Sequence, residues 1–124
     1  MKREANYRPE LGRTGVMRAC LDVLEVYRVW HQRMNSGAVK LQSESGKSRM
    51  FRAARKGTAD ILATPFPRRT HPAILWIECK SSDGKQRPAQ SEFEKEVVLA
   101  GHEYIVVNDA QQLIDWLKQK GVTR

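Results

Sequence analysis

The stretch 73-AILWIECK-80 decides how this chain is read. In an extended strand, alternation places Ile74, Trp76, Glu78 and Lys80 on one face and Leu75, Ile77 and Cys79 on the other. A carboxylate and an amine therefore share one face of an otherwise apolar strand. That placement costs desolvation unless the pair faces solvent, each other or a ligand. Working outward, 58-TADILAT-64 is a second short strand, with Asp60 as its single charge among apolar neighbours. If the two strands lie side by side, Asp60 and Glu78 converge, and two close carboxylates tolerate each other best with a cation between them.

The rest of the chain frames these two strands. From Thr14, the residues Met17, Leu21 and Leu24 recur at three- and four-residue spacing with Cys20 and Tyr27 beside them, which predicts an amphipathic helix of about four turns. The Pro9-Glu10 step before it can open a helix that Gly12 and Gly15 would weaken. Val29 to Asn35 reads as a strand, Ser36-Gly37 as a turn and Ala38 to Gln42 as the hairpin partner of that strand. Ser43 to Gly57 is rich in Ser, Gly, Lys and Arg without an apolar period, and predicts a surface loop or mobile segment. Three prolines between positions 65 and 72 make a connection.

Beyond Lys80, a Ser-Asp-Gly turn leads to Pro88, where the first turn of a helix carrying Phe93, Val97 and Ala100 begins; Gly101 stops it. His102 to Val107 is another strand, and Asp109 caps a last helix with Leu113, Ile114 and Leu117. The expected fold class is α/β: a central mixed β-sheet flanked by helices, in the order α-β-β-β-α-β-α. At 124 residues the chain is read as one domain, 1–124, with one core.

Composition narrows the function classes. No apolar run approaches the roughly 18 residues that cross a bilayer, and no signal or transit peptide is evident, so the expectation is no membrane and a cytoplasmic location. Cys20 and Cys79 are read as reduced and structural. A net charge of +8 favours a polyanionic partner, because phosphate contacts supply most sequence-independent affinity for nucleic acid. Lys47, Arg49, Arg52, Arg55 and Lys56 precede Asp60, and Arg68, Arg69, Lys85 and Arg87 flank the two strands. As phosphate contacts they form a basic rim; the plain alternative is a solvated loop. Hydrolysis of a phosphodiester needs a nucleophilic water and stabilisation of negative charge on the phosphoryl oxygens. Hard oxygen ligands such as Asp60, Glu78 and the backbone carbonyl of Cys79 suit Mg²⁺ or Mn²⁺, and Lys80 can orient or deprotonate the water. A strand-end salt bridge is the plain reading of Glu78 and Lys80. The histidines are scattered without ligand spacing, and the tryptophans read as core or interface.

The pattern of Asp60 followed by Glu78-Cys79-Lys80 resembles the PD-(D/E)xK nuclease superfamily. Within it, Lys56-Gly57-Thr58-Ala59-Asp60, Trp76 to Lys80, Gly84, Gln90 near a helix start, and Gly101 before a Tyr-Ile-Val-Val strand are similar to the VRR-NUC family, over roughly residues 55 to 110. Thr58-Ala59 stands where that family more usually has proline. The resemblance implies a restriction-endonuclease-like fold in which Asp60 and Glu78 bind Mg²⁺ or Mn²⁺, Lys80 is catalytic and Gln90 supports the site. It also implies an acidic ligand from the first helix, for which Glu10 is the first candidate and Glu25 the second. Small members of the family resemble Holliday-junction resolvases of phage or mobile-element origin, which implies a homodimer cutting branched or duplex DNA inside a bacterial or phage-infected cell. The alternatives are a catalytically inactive nucleic-acid-binding module and an interaction subunit of a phage recombination complex.

Overall fold

A computed structural model of the chain describes residues 12–34, 38–42, 44–52, 54–66 and 73–124, with the backbone alone for 38–42 and 49–52. Glu10, Arg68 and Arg69 and the Ser36-Gly37 turn lie outside the described residues. The elements run α1 (Arg13–Val26), β1 (Trp30–Arg33), β2 (Ala38–Gln42), β3 (Ser48–Arg52), β4 (Ile61–Thr64), β5 (Leu75–Cys79), α2 (Pro88–Leu99), β6 (Glu103–Val107) and α3 (Ala110–Gln119). The described residues form an α/β fold with a mixed four-stranded sheet and three helices.

The sheet order is β1-β4-β5-β6. β1, β4 and β5 are antiparallel neighbours; β5 and β6 run parallel, joined by α2 as the crossover such a pair requires. Among the described residues five strands precede α2, against three in the expected order and four among the segments read one by one. The expected hairpin between the first two strands is corrected as well. β1 pairs with β4, whereas β2 pairs with β3 in a separate two-stranded sheet, from Ala38 opposite Arg52 to Gln42 opposite Ser48. The segment 43–57, expected to be loop, thus contains a strand. It escaped the sequence pattern because a two-stranded ribbon is held by cross-strand pairs and a turn, and does not need the sustained apolar alternation of a buried strand.

The main core lies on one face of the sheet. Val16, Met17, Cys20 and Leu24 of α1, Ile61 and Ala63 of β4, Leu75, Ile77 and Cys79 of β5, and Leu113 and Leu117 of α3 form one buried cluster. Val16 and Cys20, rather than Thr14 and Leu21, complete the buried stripe of α1: Thr14 is exposed and Leu21 half-buried. Asp109 caps α3 through its carboxylate, which accepts from the Gln111 N–H at 2.7 Å. On the opposite face, α2 packs Phe93 edge-on against Trp76 at 4.9 Å between ring centroids, with Tyr104 of β6 beyond it. The two faces of β5 are therefore claimed by different helices, and its charged residues lie on the α2 side. Among the described residues, no helix is long and apolar enough to cross a membrane.

Candidate functional site

The antiparallel register of β4 and β5 brings the two carboxylates together. Ile61 pairs with Ile77, so one step further along the same register sets Asp60 opposite Glu78. Like charges directly opposite one another on neighbouring strands repel. Here both are buried, Asp60 at 5% and Glu78 at 0% exposure.

Their hydrogen bonds are unequal. Asp60 is fully engaged: Oδ2 accepts from the Cys79 N–H at 2.8 Å, and Oδ1 accepts from the Arg13 guanidinium at the start of α1. Glu78 Oε2 accepts from Gln90 Nε2 at 2.8 Å and lies 3.4 Å from Lys80 Nζ, whereas Glu78 Oε1 is buried without a hydrogen-bond partner among the described residues. An orphaned carboxylate oxygen in a protein interior is costly. Burial first, and then the charge of Asp60, push the Glu78 carboxyl up to about 7 against the opposing pull of Lys80 and Arg13.

Gln90 ties the cluster to α2. As residue N3 of that helix, its Oε1 accepts from the Arg87 N–H at 2.8 Å, a bond that returns to the helix start, and from Lys80 Nζ at 2.7 Å. With Nε2 donating to Glu78, all three bonds agree on one orientation of the amide. Gln90 thereby fixes both Glu78 and Lys80. Ahead of Asp60, Gly57 adopts φ +87°, and a Cβ there would stand 2.2 Å from the backbone oxygen of Ala89. Only glycine permits this close approach of the 56–58 segment to the start of α2.

A cavity of about 630 Å³ opens over this cluster, lined by Arg13, Lys56, Asp60, Lys80 and Arg87 and by the first residues of α2. Among the described residues four cations and one carboxylate face it, so the cavity suits an anion. Glu78 connects to it through Lys80 and Gln90, which line the cavity and touch its carboxylate.

Among the described residues, oxygen donors of the hard kind that a small divalent cation takes do lie on this face. Two carboxylates share one face, one buried oxygen lacks a partner, and the Cys79 carbonyl lies on the same side of its strand as the Cys79 N–H that reaches Asp60. Among the described residues no cluster of three or more His, Cys, Asp or Glu side chains is suited to a metal.

Several other sequence-predicted residues are elsewhere. Glu25 is at the far end of α1 from Arg13, roughly 18 Å away along the helix, where it faces His31 Nε2 at 3.5 Å. It does not join the site. Of the basic residues, Lys56 and Arg87 line the cavity, whereas Arg55 is paired with Glu96 of α2. Lys47 and Lys85 are exposed away from its lining, and Arg49 and Arg52 are described only as backbone positions of β3. Arg13 is the residue the sequence reasoning missed. Its one available signal was a cation at the first residue of a helix, the end where the backbone dipole disfavours positive charge. Cys20 and Cys79 are free and buried, with their thiols in contact.

No family model matches this chain, and no curated protein is significantly similar to it.

Proposed function

We propose that the chain is a metal-dependent DNA nuclease of the restriction-endonuclease-like class. The observation that carries this reading is the buried Asp60–Glu78 pair with its orphaned Glu78 oxygen, set beside Lys80 under a cavity lined by cations. In this reading Asp60, Glu78 and the Cys79 carbonyl hold Mg²⁺ or Mn²⁺. Such an ion, when bound, lowers the pKa of a water and polarises the phosphate. The protein's own residues do the rest. Lys80, held by Gln90 and Glu78, orients the water or neutralises charge on the phosphoryl oxygens. Gln90 keeps the Glu78 carboxylate and the Lys80 amine at fixed separation, and Lys56 and Arg87 receive the phosphates around the scissile bond.

The resemblance to the VRR-NUC family, with its junction resolvases, supports branched DNA as substrate and a homodimer as the working form, since two cuts need two sites and a twofold axis supplies them. The net charge of +8 supports a nucleic-acid partner, and a cytoplasmic setting belongs to the same proposal.

The test is cleavage of labelled four-way junction, flap, linear duplex and single-stranded DNA with Mg²⁺, Mn²⁺ or EDTA, using the wild type, Asp60→Ala and Lys80→Ala. Paired, metal-dependent cuts at the junction, lost in both variants, are expected. Retained DNA binding with no cleavage of any substrate would replace this reading with that of an inactive binding module.

A further inference from the structure

The two edges of the main sheet are unlike. β1, at one edge, is the short and polar Trp-His-Gln-Arg, the composition with which sheets guard an edge against further pairing. β6, at the other, reads Glu-Tyr-Ile-Val-Val, with no charge after Glu103, no proline, and unbroken register against β5. Among the described residues no strand lies on its outer side, and Val106 is 45% exposed. An apolar edge of this kind is a template for another strand.

The backbone shows which groups this edge presents. The Glu103 N–H donates to the Ile74 carbonyl and the Val107 carbonyl accepts from the Lys80 N–H, both at 2.9 Å, so the odd-numbered residues of β6 turn their peptide groups toward β5. Tyr104 and Val106, of the opposite parity, turn theirs outward. A second copy of the chain matches this edge with itself. In an antiparallel pair about a twofold axis at Ile105, Tyr104 of one copy lies opposite Val106 of the other and exchanges both hydrogen bonds with it, and symmetry repeats the exchange. The same register sets an aromatic ring against a β-branched side chain, a favourable cross-strand pair, and keeps the two Glu103 carboxylates at opposite ends of the joint.

Stable pairs bury about 800 Å² on each partner, more than a five-residue edge provides. The flank of α2 beside β6 extends the surface. Gln86 Nε2 reaches both Glu94 Oε1 at 2.9 Å and the Tyr104 hydroxyl at 3.2 Å, so Glu94 stands level with Tyr104 and close to the axis. A groove runs along this flank past Ser91, Glu94, Lys95, Val98 and Leu99, where Val98 is 51% and Leu99 90% exposed. A twofold axis perpendicular to the sheet keeps both α2 helices on one face and antiparallel. It thereby brings Glu94 of one copy beside Lys95 of the other, and Val98 across from Ser91.

From this geometry we propose that the outer edge of β6 and the adjoining flank of α2 are the contact between two copies of the chain, which join their four-stranded sheets into one. This rests on the homodimer of the proposed function and adds to it where the copies meet. Counting strand spacings across the joint, the two Glu78 positions lie on the same face roughly 15 Å apart, so both sites belong to one side of the dimer.

The test uses the full chain and needs no cleavage. Sedimentation equilibrium is measured for wild type, Val106→Pro and Leu99→Glu, with circular dichroism to check the fold. Proline at 106 removes an N–H that points away from β5, a place where edge strands accept it. It should weaken the dimer about tenfold or more, since the axis counts each lost hydrogen bond twice. Leu99→Glu, too exposed to bear on the fold, should weaken it several-fold. In Ile105→Cys the two thiols meet at the axis as a non-hydrogen-bonded pair, about 4.5 Å between Cα atoms, and oxidised glutathione should close a disulfide between copies. Gln32→Cys, on the β1 edge, should give none. A wild-type dimer that neither Val106→Pro nor Leu99→Glu weakens, or that cross-links at position 32 and not at 105, would overturn this surface and leave the homodimer standing. A wild-type chain that is monomeric at every concentration would remove both.

Discussion

On one face of β5, Leu75, Ile77 and Cys79 are fully buried in a continuous apolar cluster with α1, β4 and α3. On the other, Trp76, Glu78 and Lys80 meet α2, and below Trp76 the packing gives way to a carboxylate, an amine and the Gln90 amide. Both faces bury side chains, the first with groups that gain from leaving water and the second with groups that lose. The contrast locates where this chain gains stability and where it gives it up. The apolar face supplies the free energy that holds a repulsive carboxylate pair in place on the other.

The sharpest way to break this contrast is to truncate each face in turn. Ile77→Ala, in the apolar cluster and 0% exposed, should cost about 2 to 5 kcal/mol in urea unfolding through lost burial and a residual cavity. Glu78→Gln should act in the opposite direction, raising stability at about pH 8 by about 1 to 3 kcal/mol while abolishing Mn²⁺ binding. The sign follows from the carboxyl being pushed up to about 7 in the fold. The native state retains a proton that the unfolded chain releases near pH 4.5. Wild-type stability should accordingly fall as pH rises from about 5 to about 7.5, and Glu78→Gln should flatten that slope. A wild-type melting temperature independent of pH over this range would refute the contrast. The smallest effect is expected from Gln90→Ala, which leaves Lys80, Glu78 and the Arg87 N–H without their shared partner and should cost about 1 kcal/mol by thermal unfolding at neutral pH.

The sequence was legible where local physics and tertiary packing agree. β5 is apolar enough to read as a strand from any direction, Asp109 and Pro88 mark helix starts, and Gly101, with φ +93°, marks where α2 ends. Asp60 and Glu78 stood out because each is a charge within an apolar run, and the pairing of β4 with β5 could be anticipated as a condition for their meeting. Gln90 was marked by the resemblance as lying near a helix start, and it is the third residue of α2, bonded to Glu78. The pairing of β1 with β4 was not legible, since it joins segments separated by the whole β2–β3 ribbon and no local signal distinguishes it from a nearby hairpin. β3 was hidden by its composition: Ser-Arg-Met-Phe-Arg shows too little alternation to be told from loop. Arg13 was hidden for another reason. Its role depends on a contact 47 positions away, and a cation ahead of an amphipathic helix is ordinarily a solvated one.

The register of β5 carries a consequence for the fidelity of folding. Because side chains alternate strictly, sliding this strand by one residue would turn Glu78 into the apolar layer beneath α1 and present the Cys79 thiol to the cavity. Such a misaligned chain would bury a charge among aliphatic groups and collapse its own stability, so it could not persist as a folded but misdirected protein. Aim and integrity fail together in this chain. An insertion or deletion within 75–79 is therefore expected to be eliminated as a folding defect before it could ever be observed as a functional one.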